Sequence, residues 1–423
     1  MRFRDEQGQV MVFTLLCMTC LLGFVALATD VALMLRAKRV IQSVADCGAI
    51  AGAAEINWAS TDSATPSNAI TAAAKKGTAK NGFTDGSGGV TVSVNYPPTS
   101  GAHIGDGSFV EVYVTQTQPT IFMKLFSIFS MPVSARAVAG LGAISSTCGY
   151  VLDKTAKDAM QLQGSFNVDA PTCGFVIDSN SGNALEFTGK GNGALTAAYV
   201  GVVGGDSGQT GDSKPNAPVL GIAPVNDPLG YISPPTPTGC QAAPGGTLTG
   251  TIGPAAAKGT ICYSGNVTLS NVTLQEGTYV FTGNVTLSGN VDGTAGVTLD
   301  IASGTFAEDS HGGTYMNLKA PIVADKDSTS PYASIALMQP YSNTNTLTFD
   351  FGCSGGTLDG IIYAPAAQLF MQDSGCSNKY NGLTLTTDLI VGTLYDKTAS
   401  LTLTSFSQTN PSSTPLKVPV LVE

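Results

Sequence analysis

The sequence predicts three parts: an amino-terminal transmembrane helix, a small α+β module, and a mainly-β carboxyl-terminal region wound as a β-solenoid of the right-handed β-helix kind. Three observations carry this reading. Val10–Thr29 is an uncharged apolar run. Val90–Val94 and Phe109–Thr115 alternate apolar and polar residues. The hexapeptide GNVTLS at Gly265–Ser270 recurs letter for letter at Gly283–Ser288. The expected divisions are 1–58 (membrane helix), 59–145 (α+β module), 146–410 (β region) and 411–423 (tail).

A bilayer core needs about 20 apolar residues in helical form, and the run from Val10 supplies them. Its Leu, Phe and Val side chains together favour insertion by about 3–5 kcal/mol on an insertion scale. Asp30 stands at the end of the span, where a carboxylate costs far less than at the bilayer centre. It is expected to mark the membrane interface, followed by Arg36 and Arg39; a contact with a partner helix inside the membrane is the sharper reading. Helical character continues without Gly or Pro to Gly48. A rival reading takes Arg2 and Arg4 as the basic start of a signal peptide, with cleavage after Ala28 at the small-x-small site Ala26-Leu27-Ala28. The run is longer than the 7–15 residues usual for a signal core, which favours an uncleaved anchor. Arg2 and Arg4 precede the span and Arg36, Lys38 and Arg39 follow it, so the positive-inside rule slightly favours an interior carboxyl domain; the cysteines described below override it.

Beyond the anchor, Pro66 opens a short helix that Thr65 can cap and Gly82 ends. The two alternating strands follow, joined as a long hairpin through Pro97-Pro98-Thr99-Ser100-Gly101. TIFMKLFSIF after Pro119 is expected to be an apolar core helix, with the bilayer surface or a docked partner as the other option. PVSARAVAG returns as a strand.

From Cys148 onward, short β-branched pieces are separated by Gly, Asn, Asp and Ser. Leu383-Thr384-Leu385 and Leu401-Thr402-Leu403 repeat the 18-residue spacing of the hexapeptide. Stacked coils need such a period, because one coil cannot bury its inward side chains alone. The Pro-rich stretch Asp206–Pro254 and the acidic Gly304–Tyr332 read as excursions. A jelly roll or β-sandwich is the alternative. The Asn-Val-Thr sites match a glycosylation pattern, but Asn also suits the corners of coils.

Charge is uneven. From Leu141 onward there are 10 Lys, no Arg and 21 acids, which argues against nucleic acid as a partner. Of nine cysteines, Cys17 and Cys20 lie in the apolar run and Cys47 on the helix beyond it. Cys148, Cys173, Cys240, Cys262, Cys353 and Cys376 form an even set that fits disulfides and an oxidising compartment. Neighbour pairing is the least demanding of the 15 connectivities, and each bond would stabilise by about 3 kcal/mol. This places the β region outside the cytoplasm.

Catalytic patterns are weak. Gly205-Asp206-Ser207-Gly208 has the letters of a serine-protease motif, but only His103 and His311 exist as bases and neither belongs with it. Asp300 with Asp325, or Glu308 with Asp309, offer carboxylates for a glycosidase, yet nothing aligns a pair. No zinc spacing, EF-hand loop or Walker motif appears, so no cofactor or metal is expected and the chain is read as non-catalytic.

The segment from Asp5 to Glu55 resembles the amino-terminal region of TadG-like proteins of the Flp (tight-adherence) pilus assembly system. The likeness lies in Gln7-Gly8-Gln9, the apolar span, Thr29-Asp30-Val31, Arg36-Ala37-Lys38-Arg39 and ADCGAIAGAAE. SFVEVYVTQTQPTIFMKLFSIFSMPVSARAVAG also resembles the corresponding part of that family, so the likeness covers about residues 1–145. The chain lacks the Glu that related pseudopilins carry early in the apolar run, and is not read as a pilin subunit. The resemblance implies a single-pass protein of the bacterial cell membrane that helps assemble or anchor Flp-type pili. Its partners are expected to be the lipid bilayer, other pilus-assembly or envelope proteins, and further copies through the amino-terminal helix; Cys47 is read as a buried helix contact, with a link between two copies as the alternative. The alternative functions are a surface adhesin or carbohydrate-binding module and, lower, a polysaccharide-active enzyme.

Overall fold

A computed structural model of the chain describes residues 7–62, 66–188, 193–208, 213–214, 217–256, 258–309, 315–322, 332–350, 356–372 and 383–423. They fall into two units, one of residues 1–143 with 417–423 and one of residues 144–416.

The first unit is built on α1 (Gln7–Ala54), 48 residues of Ala-rich and Leu-rich sequence with no Pro. At 1.5 Å per residue it is about 72 Å long. Its amino-terminal half touches little: Val10, Phe13, Leu16, Leu22 and Phe24 are all more than half exposed. Its carboxyl-terminal half, followed by the short α2 (Ile56–Asp62), buries Ile41, Val44, Ala45, Ala49 and Ala53 in a core shared with α3 (Pro66–Lys80), β1 (Val90–Asn95), β2 (Phe109–Pro119) and β3 (Ser130–Ile144). Gly48 does not break the helix. A Cβ there would stand 2.7 Å from the Thr78 methyl, so the glycine lets α3 pack closely. Gly77 makes the same approach from α3, where a Cβ would meet Ala51 at 2.8 Å.

The sheet is antiparallel across β1–β2 and β2–β3, with Val92 opposite Val114 and Val112 opposite Ala137. Its fourth member was not anticipated. Residues 411–423 do not form a tail: Ser413, Thr414 and Leu416 are buried in the second unit, and Lys417–Leu421 form a strand beside β3 in the first. The expected core helix after Pro119 is also absent. Only Met123–Phe126 makes a 3₁₀ turn, within a loop joining Pro119 to its cross-strand partner Ser130, and its side chains are exposed.

The second unit is mainly β, and every strand pairing described in it is parallel. Parallel strands buried on both sides read as apolar runs, as in Gly277–Phe281, Val297–Ile301 and Ile335–Met338. The repeat is stacked in register: Val267, Thr268 and Leu269 pair with Val285, Thr286 and Leu287. Leu383–Thr386 pair likewise with Leu401–Thr404. Asparagines at strand ends extend the ladder with their side chains. Asn266 Oδ1 accepts from the Asn284 N–H at 3.2 Å, and Asn284 Oδ1 from the Thr305 N–H at 3.0 Å. The inward side chains form one core, with Phe306 on Phe349 and Phe166 on Phe187 at 5.3 and 6.0 Å between ring centres.

The order of pairing does not follow the chain. Strands from Thr147 to Leu220 pair successively in one direction. The series starts again at Gln241 and continues to Thr404. Its last strands then pair with the first: Leu389–Val391 with Gly149–Val151, Leu394–Lys397 with Met160–Gln163, and Ser400–Thr402 with Asn167–Asp169. The excursions are therefore shorter than the sequence suggested. Asp206–Gly208, Thr247–Ile252, Phe306–Asp309 and Met316–Lys319 are all paired strands.

The Pro-rich connection between Leu220 and Gln241 lies on the outer face of this array as a strap. Leu229 is fully buried with Tyr150, Ile335, Met338, Tyr363, Ile390 and Phe406 in a second core. The Val225 N–H donates to Asp178 at 2.9 Å. The Tyr341 and Tyr363 hydroxyls both donate to Asp227, at 2.7 and 2.8 Å, and the Leu229 N–H donates to its other oxygen at 2.9 Å. Asp227→Ala removes the acceptor of all three and is expected to destabilise the second unit by about 2–4 kcal/mol. Lowered amide-exchange protection at Ile335–Met338 and Ile361–Tyr363 is the measurement; unchanged protection there would show that the strap is held by apolar contact alone.

Candidate functional site

The most chemically distinctive site is where the apolar helix meets the loop between β2 and β3. Asp30 stands one residue past the run, yet it is fully buried. Its carboxylate accepts the Ile121, Phe122 and Met123 N–H groups at 2.9, 2.9 and 2.7 Å. Asp30 therefore holds a loop of its own chain.

The loop is otherwise closed on itself. The Thr120 N–H donates to the Phe129 carbonyl at 3.1 Å, Leu125 to Phe122 at 3.0 Å, Ser127 to Lys124 at 3.0 Å and Ile128 to Met123 at 3.2 Å. The Thr120 hydroxyl also donates to the Ile128 carbonyl. Ser127 closes the turn in the left-handed region at φ 65°. The apolar side chains turn outward: Leu125 is 87% exposed, Phe126 77% and Phe129 65%. A groove of about 790 Å³ runs between Ile121–Phe126 and Cys20, Gly23, Phe24 and Leu27 of α1.

Arg36 and Arg39 are exposed on the next turns of α1. Lys38 between them donates to the Ser134 carbonyl of β3. A second polar cluster, missed in the sequence, lies farther along the same unit. Glu111 is fully buried on β2 and takes hydrogen bonds from Arg136 Nε at 2.7 Å, Asn95 at 2.8 Å, the Thr99 N–H and hydroxyl at 3.1 and 2.9 Å, and Ser100. Burial alone would raise its pKa; the donors from Ser100, Asn95, Arg136 and Thr99 outweigh it and hold the carboxyl at about 2. Arg136 also pairs with Glu423, whose other oxygen accepts the Ala102 N–H at 2.8 Å. The only signal for this cluster was a charge interrupting each of two strands.

In the second unit, Cys148 bonds to Cys173 and Cys240 to Cys262, the neighbour pairing expected. Cys353 and Cys376 lie outside the described residues, as do His311 and Asp325. Cys17, Cys20 and Cys47 are free and exposed. Asp206–Gly208 is a strand paired with Leu185–Phe187, and His103, in the other unit, stacks on Phe109 at 3.9 Å. Asp300 and Glu308 are buried. Among the described residues no group of three or more His, Cys, Asp or Glu side chains is arranged to hold a metal ion.

Buried acids in the second unit nevertheless have consequences. Burial pushes Asp300 and Asp396 up to about 7. It pushes Asp388 up to about 6, against hydrogen bonds from Ser407 and Ser405. Between the ordinary carboxylate pKa and these values the folded protein holds protons that the unfolded chain has lost, so stability falls as pH rises through that window. Denaturation series from pH 4 to pH 8 are expected to show a loss on the order of 2–4 kcal/mol per group. Asp300→Asn should lower that slope by one group's share, with Asp388 and Asp396 supplying the rest; a slope unchanged by the substitution would exclude Asp300 as a source.

The comparisons with known proteins place the anchor and the loop together. Residues 8–55 match the family described as putative Flp pilus-assembly TadE/G-like, and residues 51–139 match the putative Tad-like Flp pilus-assembly family. No curated protein and no solved structure matches the chain. The two matched regions cover α1, α3, β1, β2, the loop and most of β3. Residues 8–139, therefore, form a Tad-like region similar to the TadE/G-like Flp pilus-assembly families.

Proposed function

We propose that this is a membrane-anchored, non-catalytic protein of the bacterial envelope that takes part in assembling or anchoring Flp-type pili. The observation that carries the reading is the coincidence of the family match with the anchor: residues 8–139 contain both the exposed apolar half of α1 and the module built on its other half. Arg36 and Arg39, on the turns after Asp30, suit the headgroup region beside the span. Homo-oligomers through α1, with Cys47 as a linking thiol, and contacts with other pilus-assembly proteins belong to the same reading.

The second unit is read as a β-solenoid displayed outside the cytoplasm. Parallel pairing in register and the 18-residue repeat support the first statement. The Cys148–Cys173 and Cys240–Cys262 bonds support the second, since disulfides persist in oxidising compartments. Such a body offers a long, acidic, Gly-rich surface suited to spacing or contact rather than to turnover.

A tagged full-length protein is expected to co-purify with pilus-assembly components from detergent-solubilised envelopes, and a clean deletion to reduce piliation. Normal piliation in the deletion strain would set this role aside. Protease shaving of intact cells should remove the second unit and leave a membrane-held fragment; full protection of residues 144–416 would reverse the orientation.

A further inference from the structure

The loop Ile121–Phe129 leaves most of its apolar surface exposed, and its position beside α1 indicates what covers it. We infer that it is a second lipid-inserted element, lying in the same leaflet as the carboxyl-terminal half of the apolar run and clamped to α1 by Asp30. The inference rests on the membrane-anchored reading of α1.

Three observations meet here. The first is depth. The loop shares a groove with Cys20, Gly23, Phe24, Ala26 and Leu27, so it runs alongside the last turns of the span. Cys20 to Asp30 is about 15 Å of helix, roughly the thickness of one hydrocarbon leaflet. If α1 crosses the bilayer, the loop is at membrane depth with it. The second is surface. Ile121, Phe122, Leu125, Phe126, Ile128 and Phe129 are between 40% and 87% exposed and continue the exposed face of Phe24 and Leu27. Lys124 is the one charged residue of the loop, and its long stem can carry the ammonium to the headgroups.

The third is the backbone. Each unpaired N–H or C=O in hydrocarbon costs several kcal/mol, so a loop dipping below the headgroups must pair most of its N–H groups. The Asp30 carboxylate takes three N–H groups that the loop cannot satisfy alone, and internal bonds take those of Thr120, Leu125, Ser127 and Ile128. A loop meant for water would not need this closure. A loop meant for a protein core would not leave Leu125 and Phe126 bare. Acyl chains are the occupant that fits the groove, because its walls are almost wholly apolar and continuous with the face of α1 that lipid already covers.

The test uses full-length protein in phospholipid vesicles, with and without bromine-labelled acyl chains. Trp58, the single tryptophan of the chain, is replaced (Trp58→Phe), and one reporter is added at a time, Phe13→Trp in the span or Phe126→Trp in the loop. Both reporters are expected to be quenched, by about two-fold or more, as for indoles in the acyl region. Quenching in the span without quenching in the loop overturns the inference alone, whether the loop reporter emits as in water or as in the covered interior of a second copy. Loss of both signals overturns the anchored reading and this inference with it. Adding Asp30→Ala to the loop reporter is expected to reduce its quenching by half or more while the span reporter is unaffected. Unchanged loop quenching in that variant would remove Asp30 from its role as the clamp.

Discussion

The second unit depends on one long-range pairing. Leu389–Val391 lie against Gly149–Val151, and Ser400–Thr402 against Asn167–Asp169. Every other strand ladder there joins neighbours along the chain, and could extend as soon as both strands exist. This one joins segments more than 200 residues apart and makes a single array out of two. Without it, the strands from Thr147 and those from Gln241 would be separate stacks, each with an additional bare edge. The strap follows from the same requirement: once the chain has built one part and must start the other, it has to travel, and it does so over an outer face lined by Tyr150, Ile335 and Tyr363. Such non-local closure is slow to form, because its loop entropy is lost before the contacts are gained.

Much of the local structure was legible. The length of the apolar run, the alternation in β1 and β2, and the in-register stacking of Val-Thr-Leu all follow from side-chain period, a property of adjacent residues. Neighbour disulfides were legible because close cysteines have little choice. The closure of Leu389 on Gly149 was not, since a repeat shows that strands stack but not where a series ends. The strand Lys417–Leu421 was hidden for a related reason: KVPVL is short, carries a Pro and has no neighbouring strand in sequence to declare its partner.

The loop after Pro119 shows a different limit. Apolar composition says that a segment avoids water; it does not say whether protein or lipid replaces the water. Ile121–Phe129 reads as core by composition, whereas the geometry leaves it bare beside an equally bare helix. Asp30 carried the missing information, but as one acid at the end of a span it is indistinguishable in sequence from an interfacial charge. Only the N–H groups of Ile121, Phe122 and Met123 converging on it reveal what it does. Glu111 and Asp227 repeat the pattern, as acids whose partners come from elsewhere in the fold.

The strand beside β3 bears on biogenesis. Synthesis makes α1 before Lys417–Leu421, so the sheet of the first unit stands with an open edge while residues 144–416 are being made. A nascent chain halted anywhere before that segment presents unpaired backbone on β3, the kind of surface that quality-control factors and neighbouring polypeptides engage. Sealing that edge with Lys417–Leu421 couples maturation of the first unit to synthesis of the second.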